Sequence, residues 1–271
     1  MNIALRISIM VLVILVGLAI GSFLNVVIYR LPRDMSLSKP GSHCPKCNNR
    51  IKWYDNIPVL SFLILRGKCR HCHEKISFRY PAVELFTAII FFLCLTLFTN
   101  VVIPSMGANW VKFGVSLVAC SALIAIFGCD LDTMLIPDSL QFVLLACGLV
   151  LLLDDPSFNN ILMKIIGFFG AGLLFYLVAF IYKSIHKKEG LGFGDIELVA
   201  VGGLLLGGPQ MIYALLIACV FGGIILLILF FVNKNKEKEY PFGVFLTSGI
   251  LIALFSGEYV VNWYLSLLGV K

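Results

Sequence analysis

The chain has 271 residues, 60% of them hydrophobic and 13% charged, with a formal net charge of +6. Its mean hydropathy is +0.98. About a quarter of the residues in a soluble domain are charged, so a water-soluble globular protein is excluded. The basic excess on such a chain reads as membrane topology first, with attraction to anionic lipid second and no nucleic-acid surface.

Eight apolar runs follow one another, over residues 6–29, 81–103, 110–129, 138–153, 161–182, 194–208, 211–232 and 243–268. About 20 apolar residues cross a bilayer core as helix. The fourth and sixth runs are short and fit a tilted, re-entrant or partly lipid-free helix. The first is longer than a signal-peptide core and lacks a clear small-residue cleavage site, so it reads as a retained helix. Nothing alternates with the period of an outer-membrane barrel. The expected fold class is an all-α polytopic membrane protein of about eight transmembrane helices. Its expected parts are a first helix at 1–30, a water-soluble segment at 31–80 and a transmembrane domain at 81–271.

Charge sets the orientation. Of the 21 Lys+Arg, eleven fall in 30–80, three are Lys183, Lys187 and Lys188, and three are Lys234, Lys236 and Lys238. Only Arg6, Lys112, Lys164 and Lys271 fall on the opposite side of alternating helices. The positive-inside rule then places segment 30–80 and both lysine loops in the cytoplasm.

The soluble segment carries "HCPKCNNR" and "KCRHCHEK". Cys44, Cys47, Cys69 and Cys72 thus form two CxxC pairs, the spacing of a four-thiolate zinc site. Cytosolic thiols stay reduced, which excludes disulfides. So short a segment builds little core, and a metal would staple it. His43, His71 and His73 read as solvated neighbours, and Cys94, Cys120, Cys129, Cys147 and Cys219 as small packed hydrophobes.

Acids near the membrane core are costly and therefore candidates for function. Asp130 ends the third run and Asp195 starts the sixth, at the same face. Two carboxylates held close share one proton, the arrangement of acid–base hydrolysis. Asp132, two residues on, competes with Asp130 for this place, and periodicity does not separate them. Gly190, Gly192 and Gly194 precede Asp195. They permit unusual backbone angles and close approach by a second backbone. The plainer reading is a flexible loop closed by Asp195 as helix cap. "PDSLQ" reads as an N-cap, Asp138, with Gln141 as its capping-box partner. Glu84 and Asn25 lie within apolar runs. Glu84 fits either a site residue or an ion pair with Arg79 or Arg30, and Asn25 either a site residue or a hydrogen bond across helices.

Six motifs stand in order: "GSFLNVVIYRLP" at 21–32, the CxxC pairs, "ISFRYPAVE" at 76–84, "DLDTMLIPD" at 130–138, "GFGD" at 192–195 and "PFG" at 241–243. Together they resemble the type IV prepilin leader peptidases, membrane aspartic proteases of the GxGD class. The resemblance implies cleavage of the basic leader of prepilins or pseudopilins after a glycine, at the cytoplasmic face of the bacterial inner membrane. It also implies N-methylation of the new terminus with S-adenosylmethionine, tied to the Cys-rich N-terminal part. It selects Asp130 and Asp195 as the catalytic pair, with Asp132 behind them, Gly192 and Gly194 shaping a peptide cleft, and Glu84 as the acid to watch for methyl transfer. A basic leader facing so many arginines needs Asp34, Asp55, Glu74 or lipid to receive it. Three other readings are weighed: a GxGD peptidase without methyl transfer, a non-catalytic zinc-knuckle scaffold, and a transporter with acids at mid-membrane.

Overall fold

The computed structural model of the chain describes residues 2–103, 108–188, 190–232 and 240–269. The topology charges Lys234, Lys236, Lys238 and Lys271 lie outside the described residues. Nine α-helices are described: α1 (Ile3–Arg30), α2 (Leu60–Ile64), α3 (Arg79–Phe98), α4 (Trp110–Thr133), α5 (Asp138–Asp154), α6 (Phe158–His186), α7 (Phe193–Leu206), α8 (Gly208–Val232) and α9 (Gly243–Leu267). Among the described residues there is no strand, only two isolated bridges. Among the described residues, six helices are long and apolar enough to cross a membrane: α1, α3, α4, α6, α8 and α9. The short runs become α5 and α7, of 17 and 14 residues. The protein is an all-α, multi-pass membrane protein.

The chain divides into two compact units, 1–113 and 114–271. In the first, α1 packs along α3. Lipid is as apolar as leucine, so helices in a membrane associate where small residues let backbones touch. Gly17 and Gly21 supply that face: a Cβ on either would stand 2.7 Å from Ala88 Cα or 2.6 Å from Glu84 Cα. Asn25 does cross between helices, its Nδ2 donating to Gly21 O and to Tyr80 O, both at 3.2 Å. At the end of α1, the buried Arg30 donates to Ser36 O (2.9 Å) and Pro40 O (2.6 Å), folding the following loop back on the helix.

In the second unit, α7 packs against α5, α6, α8 and α9. Fourteen residues of helix reach only about 21 Å, short of a bilayer core of about 30 Å. Longer neighbours cover it, and Leu198, Val199, Leu204 and Leu205 enter the core with Ala122, Ile126, Leu144, Leu246 and Ile250. The sequence counts Lys164 among the outer-side charges, near the start of the run 161–182. It is buried on α6, with Nζ donating to Leu204 O (3.2 Å) and Leu205 O (2.9 Å). A cation on the last carbonyls of α7 satisfies groups that no helical N–H reaches and opposes the helix dipole. Lys164→Met should therefore destabilise the folded protein by about 1–3 kcal/mol, read as a lower melting temperature in detergent. An unchanged melting temperature would show that the cap contributes nothing.

Candidate active site and metal centre

The two cysteine knuckles are copies of one turn. Cys44 N donates to Asn49 O and Asn48 N to Cys44 O; Cys69 N donates to Glu74 O and His73 N to Cys69 O. Bridges His43–Arg50 and Lys68–Lys75 close them at matching positions. The residue after each second cysteine, Asn48 or His73, takes a positive φ of 55° or 56°. His73 is thus a turn residue, and His43 and His71 are exposed. The four sulfurs lie within 4.8 Å of one another, and the Cys44–Cys72 pair is at 3.8 Å. A tetrahedral zinc with bonds of about 2.3 Å holds its sulfurs about 3.8 Å apart, so the set fits such an ion. The N–H groups of Cys72 and His71 hold the Cys69 thiol down to about 7. Cys72 goes the other way, up to about 12: the Glu74 N–H favours its thiolate, but desolvation and the three neighbouring sulfurs outweigh it. Four thiolates at this range need a cation among them.

In the same unit, Asp55 accepts from Arg70 Nε and Nη2, the shortest contact being 2.6 Å. The Arg70 guanidinium holds its carboxyl below the usual carboxylate range. Its charge is already committed, which leaves Asp34 and Glu74 of the three acids suited to a basic leader. Glu84 is buried and accepts from Val59 N–H at 2.7 Å. The ion pair expected with Arg30 is not formed, because that guanidinium is held by backbone carbonyls. Val59 sits at φ 60°, a costly angle for a β-branched residue, and Glu84 is what holds its amide there.

The acids of the second unit converge. Asp130 is 4% exposed, near the end of α4. Its Oδ2 accepts from Val244 N at 2.9 Å, an amide in the first turn of α9. A Cβ on Gly243 would stand 2.8 Å from that oxygen, which explains the glycine of "PFG". Asp195 lies in the first turn of α7, half-buried. Ile136 joins the two places. Its side chain lies 3.2 Å from where a Cβ on Gly194 would stand and 2.9 Å from the same point on Gly243. Asp132 is exposed.

Of the two uses expected of the glycines in the GxGD stretch, left-handed backbone angles are not among those seen. Gly190, Gly192 and Gly194 are absent from the positive-φ residues. What matters is the missing Cβ: one on Gly190 would strike the Tyr182 ring, one on Gly192 would stand 3.3 Å from Asp195 Oδ2, and one on Gly194 would crowd Ile136. Beside this loop, Tyr176, Phe180, Lys183, Leu191 and Phe193 line a mostly apolar cavity of about 360 Å³. The capping box is not formed either. Pro137 precedes α5 as its N-cap without a side-chain bond, Asp138 is the first helical residue, and Gln141 turns inward. Composition hid this, because Pro137 leaves α5 to begin at the residue that would have capped it.

Two acids gathered at helix ends of a multi-pass helical protein are the arrangement that acid–base hydrolysis at a membrane requires. The N-terminal part, residues 15–105, matches the Bacterial Peptidase A24 N-terminal domain, and residues 117–227 match the Type IV leader peptidase family. The chain is 36% identical over 282 residues to a prepilin leader peptidase/N-methyltransferase of Aeromonas hydrophila, covering 94% of this chain and 93% of that protein. It is 34% identical over 270 residues to the protein of that name from Burkholderia pseudomallei (90% and 84% covered) and 32% identical over 277 residues to that from Neisseria gonorrhoeae (92% and 92%). No solved structure matches it. The chain belongs to the type IV leader peptidase family.

Proposed function

We propose that this protein is a bifunctional membrane enzyme. It cleaves the basic leader from type IV prepilins or pseudopilins after a glycine, and N-methylates the new terminus. The observation that carries the peptidase reading is the gathering of Asp130 and Asp195 about Ile136, with the Asp130 carboxylate on an amide of α9. Two such acids hold one proton between them. Asp130, which accepts the Val244 N–H, suits the ionised role and takes a proton from the attacking water. Asp195 carries the shared proton and polarises the scissile carbonyl. The apolar cavity beside the GxGD loop gives the apolar segment of a substrate a place next to Asp195.

The relatives carry the N-methyltransferase name, and in this reading that activity belongs to the N-terminal part with segment 31–80. S-adenosylmethionine would supply the methyl group. No strand is described, so the strand–glycine loop–helix nucleoside site is absent among the described residues, and no residue is assigned to the cofactor. Glu84 anchors Val59 in this reading. The four cysteines hold zinc, which braces the segment. The charge bias of the basic loops supports that segment and the acid pair lying at the cytoplasmic face of the inner membrane. Incubation with a prepilin-like peptide tests the function: the product should start after the glycine, and methylation should add about 14 Da. Uncut peptide would sink the reading. The purified chain should carry about one zinc, and Cys44→Ser or Cys72→Ser should lose it by elemental analysis. Full metal in both variants would exclude the four-thiolate site.

A further inference from the structure

Gln141 stands in the second turn of α5 and is 4% exposed. Both ends of its carboxamide, Oε1 and Nε2, are buried without a hydrogen-bond partner among the described residues. Leaving such a group unmade costs about 1–3 kcal/mol for each missing bond. A leucine of similar volume would carry no such cost, so a polar group here opposes the stability of the fold. That trade is characteristic of a site awaiting a ligand.

The amide has a direction. Its Nε2 lies 3.7 Å from where a Cβ on Gly194 would stand, at the residue that precedes Asp195. Ile136 borders the same point and also reaches Gly243, beside Asp130. The unpartnered amide is therefore aimed at the glycine that precedes Asp195, on the side bordered by Ile136.

We propose that Gln141 is a substrate-binding residue that receives one peptide group of the substrate main chain beside the scissile bond. Nε2 donates to a carbonyl oxygen and Oε1 accepts from an N–H. The chemistry of the side chain selects this ligand. A carboxamide presents a donor and an acceptor side by side. A cation would satisfy only its oxygen and an anion only its nitrogen. A peptide backbone in extended form satisfies both, whatever side chains it carries. The proposal rests on the peptidase reading of Asp130 and Asp195.

The test uses the full chain in detergent with a synthetic peptide carrying a basic leader, a glycine and an apolar stretch. Wild type, Gln141→Leu, Gln141→Met and Asp195→Asn are compared in kcat/KM and melting temperature. Gln141→Leu and Gln141→Met should melt at or above the wild-type temperature and lose about tenfold or more in kcat/KM. Cleavage within about twofold of wild type would overturn the proposal. So would activity and melting temperature falling together, since the amide would then be a structural member satisfied in the free protein. The Asp195→Asn arm separates the two levels. If it still cleaves, the peptidase reading itself fails. If it is inactive while Gln141→Leu works normally, only the role of Gln141 fails.

Discussion

Asp195→Asn and Asp130→Asn should each abolish prepilin cleavage, by about a thousandfold or more, or ~4 kcal/mol of lost transition-state stabilisation. Asparagine keeps the shape of aspartate and cannot exchange a proton in this range. The fold should survive. The Asp130→Asn variant retains an oxygen that can accept the Val244 N–H now bonded at 2.9 Å. The pair holds one buried charge between its two carboxyls, and neither change adds another, so the melting temperature should hold or rise. Loss of activity at undiminished stability is therefore chemical rather than structural. Asp132→Asn serves as the internal control. The residue is exposed, and its loss should leave cleavage within about threefold, the scale of a surface change. Normal cleavage by either dyad variant would exclude the shared-proton mechanism.

What the sequence displayed and what it hid follow from the solvent. Apolar runs mark helices because lipid leaves a backbone no other choice. All eight runs became helices, with ends displaced by a few residues: 6–29 became Ile3–Arg30 and 161–182 became Phe158–His186. The cysteine knuckles were legible because metal geometry demands their spacing, and the acids because burial makes them conspicuous. Helix faces were not legible. A span apolar on every side carries no stripe to show which side meets protein, and the faces appear only in the glycines. The sequence offers Gly192 and Gly194 either as points of unusual backbone angle or as points of close approach, and the contacts with Asp195 and Ile136 make them points of clearance. Gln141 was misplaced for a related reason. A polar residue near a helix end looks like a cap until the partner, or its absence, is seen in three dimensions, and the hold of Lys164 on the last carbonyls of α7 appears only there as well.

The second large effect tests whether that clearance matters away from the acids. The helices α6 and α7 cross at Gly167 and Gly203, where a Cβ on either would collide with the other's carbonyl oxygen. The obstruction is backbone, which cannot rotate aside as a side chain can. Gly203→Val should therefore force the pair apart, an overpacking cost of about 3 kcal/mol or more. Gly203 is eight residues beyond Asp195 on α7, about 12 Å along the axis. A displaced α7 shifts its N-terminus relative to Asp130 and Ile136, so cleavage should fall about a hundredfold even in protein that still folds. Gly223→Ala on α8 is the matched control. Nothing lies within 4 Å of its Cβ, and alanine is the better helix former, so this variant should be as active as wild type and slightly more stable. Melting temperature and cleavage measured on both variants decide the matter. If Gly203→Val behaves like Gly223→Ala, the crossing is looser than its geometry, and the position of Asp195 does not depend on it.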